Sequence, residues 1–120
     1  MERDMDLIRE LLLRAEEEAT QKGFFMPTVE GYTPEQINYH IELLEQKGLA
    51  RTFHIPSGRD DIWKLGALTW EGQDFLANAK NQTVWNKTKA LVKSKGGSAS
   101  FEIFKAILVS MAKSQFLEGS

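Results

Sequence analysis

Residues 33–72 read TPEQINYHIELLEQKGLARTFHIPSGRDDIWKLGALTWEG, and the fold turns on this stretch. Thr33 offers a capping hydroxyl, Pro34 fits the first helical position, and Gln36 stands third, where its side chain can return a bond to the cap. Ile37, His40, Ile41 and Leu44 then recur at three- and four-residue spacing and share one helical face. Gly48 suits the positive φ of a helix stop, and Leu49 is placed to fold back on the last turn in a Schellman closure. Beyond it, Arg51 to Ile55 and Ile62 to Leu68 are β-prone runs. The polar connector Pro56-Ser57-Gly58-Arg59-Asp60-Asp61 makes them a β-hairpin with a charged tip. Thr69 caps a brief helix to about Lys80 that carries Phe75 and Leu76.

On the N-terminal side, Met5, Ile8, Leu11, Leu12, Ala15 and Ala19 predict an amphipathic helix over about Asp4 to Gln21, with Leu7 and Leu13 off its main face. Asp4 and Asp6 suit the positive end of its dipole, and Lys22-Gly23 the other end. Glu16, Glu17 and Glu18 read as a solvated face, with an acidic docking site as the alternative. The helical period then vanishes, and Phe24 to Val29 reads as a short strand before Gly31 turns the chain. Towards the C-terminus, Val84, Trp85, Thr88, Leu91 and Val92 predict a helix from near Thr83 to Lys95, broken by Gly96-Gly97. Ser98 or Ser100 caps a last helix in which Phe101, Ile103, Phe104, Ile107, Leu108 and Met111 spread over a wide apolar arc. Trp70 and Trp85 fall at or beside apolar helical positions and are expected in the core; Trp63 lies on the hairpin.

Of 120 residues, 42% are hydrophobic and 27% charged, enough apolar content for a core without a metal or disulfide staple. With no Cys, thiol nucleophiles, disulfides, thiolate zinc sites and iron–sulfur clusters are excluded, which suits a cytoplasmic setting. The acidic opening, Met1 to Asp6, is unlike a signal peptide. The most apolar run, Ala106 to Ala112, is broken by Ser110 and flanked by Lys105 and Lys113, so no membrane span is expected. His40 and His54 lack the histidine partners of a metal site, His40 reading as a residue at the edge of the core. Asp60-Asp61 near His54 sit at a hairpin tip with no water-excluded pocket, and Gly96-Gly97 lacks the Lys-Ser/Thr ending of a phosphate loop. No catalytic residue, cofactor or metal is expected, and the chain reads as a non-enzyme.

The run from Ile41 to Leu49, the hairpin, and Leu68-Thr69-Trp70-Glu71-Gly72 together resemble the recognition helix, wing and following helix of bacterial winged-helix proteins. The larger set, Arg3 to Arg9, Tyr39-His40, Leu68 to Leu76 and Thr83 to Lys87, resembles an uncharacterised family of small bacterial and prophage winged-helix-like proteins. The resemblance implies an α+β, mostly helical fold. Residues 1–80 would form a winged-helix-like core of helix, short strand, helix and β-hairpin wing, and residues 81–120 a C-terminal helical extension packed on the same single domain. One element of a full helix-turn-helix is missing, because the nine residues between Gly23 and Thr33 contain Pro27 and Gly31 and leave no room for a positioning helix.

Residues 1–50 carry net charge −6 and residues 51–120 net +4. Two functional readings follow. In the first, a DNA-associated transcriptional regulator meets phosphates through Arg51, Arg59, Lys64, Lys87, Lys89 and Lys93. In the alternative, a protein-interaction module or mobile-element accessory factor presents the acidic Glu35, Glu42, Glu45 face, or the apolar Phe104, Ile107 and Met111, to a bacterial protein. Those apolar residues also suit pairing of terminal helices in a homodimer. Carboxylates on the helix from Pro34 to Lys47, which exposes Glu35, Asn38, Glu42, Glu45 and Gln46, would be repelled by a phosphate-walled groove.

Overall fold

The computed structural model describes residues 1–118. The side chains of residues 19–22 fall outside that description, and with them the expected placing of Ala19 on the apolar face and of Lys22 at the helix stop. The elements, in order, are α1 (Met5–Lys22), α2 (Pro34–Gln46), β1 (Ala50–Ile55), β2 (Ile62–Leu68), α3 (Trp70–Ala79), α4 (Gln82–Ser94) and α5 (Phe101–Glu118). The chain is mixed α+β and mostly helical, with β1 and β2 as an antiparallel pair. It divides into two compact units, Met1–Asp74 and Phe75–Ser120.

In the first unit the local signals resolve as read. Thr33 Oγ1 accepts from the Gln36 amide at 3.1 Å while Gln36 Oε1 accepts from the Thr33 amide at 2.9 Å, so two orphan donors at the start of α2 are satisfied reciprocally. At the other end the Leu49 amide bonds the Leu44 carbonyl at 2.9 Å and the Gly48 amide bonds that of Glu45 at 3.0 Å, with Gly48 at φ 68°. That is the Schellman closure. Ile37, His40, Ile41 and Leu44 are the buried face of α2, which packs with α1 against the hairpin. His54 lies opposite Trp63 and Phe53 opposite Lys64, and the register shifts between Ala50 and Thr52, at Arg51.

Three expectations are corrected here. The strand over Phe24 to Val29 shrinks to one bridge, in which Phe25 and Leu65 exchange amide-to-carbonyl bonds of 2.9 and 2.8 Å. Pro27 has no N–H to extend the ladder. Leu7, expected off the main apolar face of α1, is completely buried and belongs to the core. Trp70 is 79% exposed. Thr69 caps α3 by accepting from the Gly72 amide at 3.1 Å, and Gly72 is turned towards Leu49; a residue two positions earlier stands about 200° round the helix and so faces away.

In the second unit the core is aromatic. Trp85 is fully buried, edge-on to Phe75 at 6.5 Å and to Phe104 at 5.2 Å, and Phe75 stacks on Phe101 at 5.4 Å. Asn81 caps α4 through the Val84 amide at 3.0 Å, two residues before the expected start, and Ser100 rather than Ser98 caps α5 through the Ile103 amide at 3.1 Å. The wide apolar arc of α5 divides in two. Phe101, Phe104 and Leu108 are buried, while Ile103, Val109, Phe116 and Leu117 are exposed.

The two informative glycines differ in kind. A Cβ on Gly48 meets nothing within 4 Å, so a side chain there pays only for the positive φ, whereas a Cβ on Gly72 would collide with the Leu49 carbonyl. Gly72→Ala is therefore expected to cost about 3 kcal/mol, by forced overpacking, and Gly48→Ala only about 1 kcal/mol. Urea denaturation of the two variants checks the order; equal losses would show that α3 does not start hard against the end of α2.

Candidate functional site

The polar residues on the first two turns of α2 hold the first unit together. His40 is 1% exposed, and both ring nitrogens are engaged: Nε2 lies 2.8 Å from the Asp4 amide, which donates to it, and Nδ1 lies 2.7 Å from the Gln36 carbonyl. A nitrogen that accepts and one that donates define the neutral Nδ1–H tautomer. Asp4 is the N-cap of α1: its Oδ1 accepts from the Leu7 amide at 3.1 Å and its Oδ2 from the Tyr32 hydroxyl at 3.0 Å. The sequence places Asp4 only for its charge and His40 at the edge of the core; their bond, across 36 residues, joins the start of α1 to the middle of α2.

These contacts shift both titrations. Burial pushes the His40 pKa down, against the opposing pull of the Gln36 carbonyl and the Asp4 charge. Tyr32 is pushed up to about 12, first by burial, then by its bond to Asp4 and the charges of Asp4, Asp6 and Glu10. Protonated His40 would point a second donor at the Asp4 amide.

Asn38 makes the corresponding link to the hairpin. Its Oδ1 accepts from the Trp63 amide at 2.7 Å and its Nδ2 donates to the Asp61 carbonyl at 2.9 Å. The sequence places Asn38 among the residues that α2 exposes. It lies only about 60° round the helix from Ile41, at the border of the apolar stripe, and that position is the one signal for its inward role. Across the hairpin His54 stacks on Trp63 at 4.3 Å and 13°, and its Nε2 pairs with Asp61 Oδ2 at 3.0 Å. Both partners are well exposed, so the pair adds little to the stability of the hairpin tip.

Between α2 and that tip lies a cleft of about 540 Å³, lined by Met26, Pro34, Glu35, Asn38, Tyr39, Glu42, Arg59, Asp60, Asp61, Ile62 and Trp63. Of the proposed phosphate contacts only Arg59 reaches it; Arg51 is exposed at the shifted register of β1, and Lys64 is half-buried on β2. Of the acidic face, Glu35 and Glu42 line the cleft, and Glu45 is exposed further along α2. In the second unit Lys87 and Lys93 are exposed and Lys89 half-buried on α4. Lys89 and Lys93 share a face, whereas Lys87 stands about 120° from Lys93, so the three make no single stripe. Phe104 is spent on Trp85 in the core and offers no surface, while Ile107 and Met111 are half-buried. Among the described residues no group of three or more His, Asp or Glu could hold a metal ion, and no helix is long and apolar enough to cross a membrane.

Fold and cleft together define a small, mostly helical α+β protein whose first unit is tied by the buried His40 and the half-buried Asp4, Tyr32 and Asn38, beside an acidic groove. The chain belongs to the family described as "Hypothetical protein (DUF2513)", which matches residues 2–98. It is similar to an uncharacterized protein of Haemophilus influenzae, 33% identical over 108 residues that cover 89% of this chain and 92% of the relative. No solved structure matches it.

The neutral His40 yields a pH dependence. Its folded-state pKa lies below the ordinary value of about 6.5, so between the two values the unfolded chain binds the extra proton. The contribution of His40 to stability is complete above about pH 6.5 and is lost as pH falls from there through the folded pKa. The stability gap between the native chain and His40→Gln should narrow from pH 7 to 5, read by urea denaturation; a gap that stays constant would show that the ring does not titrate on unfolding.

Proposed function

We propose that this protein is a winged-helix-like protein-interaction module, with α2 and the hairpin as its working face. The order of helix, extended bridge, helix and hairpin supports the winged-helix likeness, as does the placing of Phe25 against β2 with β1 beyond it. A middle helix is replaced by the loop through Pro27 and Gly31.

One observation carries the choice of partner. On the face where a winged helix would meet a duplex, Glu35, Glu42, Asp60 and Asp61 line the cleft against the single cation of Arg59. Phosphates spaced along DNA would be repelled there, and Asn38, one of the amides on α2, already holds the hairpin. A protein surface can supply the opposite charge.

A second reading, association with nucleic acid through the second unit, is favoured by the exposed Lys87 and Lys93 and the absence of any acid from Lys80 to Lys95. The spread of the lysines round α4 gives it less support than the groove gives the first.

Fluorescence anisotropy with mixed-sequence duplex DNA at low salt separates the two. The interaction reading expects no binding at about ten micromolar protein, a concentration at which electrostatic, sequence-independent binders register. Binding whose salt slope falls by about 1 for each of Lys87→Ala or Lys93→Ala would overturn it in favour of the second reading, and a slope that falls instead with Arg51→Ala, Arg59→Ala or Lys64→Ala would restore the regulator.

A further inference from the structure

We infer that the groove between α2 and the hairpin binds an extended segment of a partner protein in which an arginine stands beside an apolar side chain. This deepens the interaction reading and rests on it.

Two different kinds of surface meet in the groove. Its walls are partly apolar: Met26 is 46% exposed and Ile62 37%, both large hydrophobic side chains left to solvent, and Tyr39 and Trp63 line it with them. Exposed apolar side chains gathered in a concave site mark a contact rather than a solvated surface. Its remaining charge is negative: with Asp61 engaged by His54, Glu35, Glu42 and Asp60 still outnumber Arg59. A cleft of about 540 Å³ takes one or two side chains of a ligand rather than a whole helix.

An occupant must therefore bring positive charge and apolar surface together. A bare metal ion brings no apolar surface and, among the described residues, finds no ligand cluster. An anionic ligand is repelled. Lysine would satisfy the charge, but arginine fits both halves of the site, since its planar guanidinium pairs carboxylates through two parallel bonds and also lies flat on aromatic rings. An apolar neighbour on the same segment covers Met26 and Ile62.

Two bonds already join the groove's walls in the free protein. Asn38 links the hairpin backbone at Asp61 and Trp63 to α2, which lowers the ordering that a segment must impose as it enters.

The test uses the full chain labelled with 5-fluorotryptophan, whose three tryptophans report different places: Trp63 in the groove, Trp70 exposed, Trp85 in the second-unit core. Trp63→Phe assigns the groove signal. The probe is a capped nonapeptide with alternating leucine and arginine, beside the same peptide with glutamine or glutamate for arginine. The arginine peptide should shift Trp63 and leave Trp85 unmoved. Glu35→Gln with Glu42→Gln should weaken that binding by about 10-fold or more, and added salt should weaken it further, because the carboxylates at the rim are screened. An unchanged Trp63 signal of the free Glu35→Gln/Glu42→Gln variant shows that its first unit is folded, and an unchanged Trp85 signal shows the same of the second.

If the glutamine peptide binds as tightly as the arginine one, the cationic occupant is wrong while the interaction reading survives. If Trp63 shifts only with rising protein concentration, the occupant is a second copy, and the proposal is overturned in favour of self-association. If no peptide moves Trp63 at about millimolar concentration, the groove is not a peptide site. Should duplex DNA shift Trp63 instead, both this inference and the interaction reading fall.

Discussion

The first unit depends on a neutral histidine held between two helices. His40 accepts from the Asp4 amide and bonds the Gln36 carbonyl, while Asp4 turns its carboxylate to the Leu7 amide and the Tyr32 hydroxyl. A buried polar group is tolerated only when its partners are all present, and among the described residues no buried side-chain nitrogen or oxygen is left without one. The arrangement fixes where α1 begins, where α2 lies against it, and where the loop through Tyr32 must pass. Apolar burial drives the association but is non-directional. The hydrogen bonds select one rotation.

From that rotation the working face follows. With Ile37, His40 and Ile41 turned inward, Glu35 and Glu42 must face out beside the hairpin, and Asn38 on the border must reach its backbone. The Asn38 side chain is spent on holding the hairpin. The same bond brings Asp60, Asp61 and Trp63 opposite the carboxylates of α2, producing a groove that is acidic and apolar together. The groove thus combines exposed apolar side chains with an excess of carboxylates over the cation of Arg59.

Legibility in the sequence followed the range of each interaction. The Thr33–Gln36 capping box, the Gly48 closure and the hairpin were readable because each is decided within a few residues. The acidic face was readable too, since the helical period alone puts Glu35, Glu42 and Glu45 on one side. The bonds that make the groove were not, because Asn38 meets Trp63 across 25 positions and His40 meets Asp4 across 36, and neither residue type announces its partner. Trp70 misled for a related reason: its composition suggests a core, but Gly72 rather than Trp70 is the residue turned to Leu49. Phe24 to Val29 had the residues of a strand and, because of Pro27, only one bridge of its bonding.

The central claim is that α2 and the hairpin are locked into one groove by Asn38, and hydrogen exchange at the Trp63 amide tests it most directly, since that amide donates to the Asn38 side chain. In the native chain the Trp63 amide should exchange only through opening nearly as costly as global unfolding, and in Asn38→Ala it should exchange through a cheaper local opening while amides within α2 keep their protection. Exchange at Trp63 in the native chain as fast as in an unstructured peptide would contradict the account, because a hairpin that swings free of α2 leaves no groove of fixed shape.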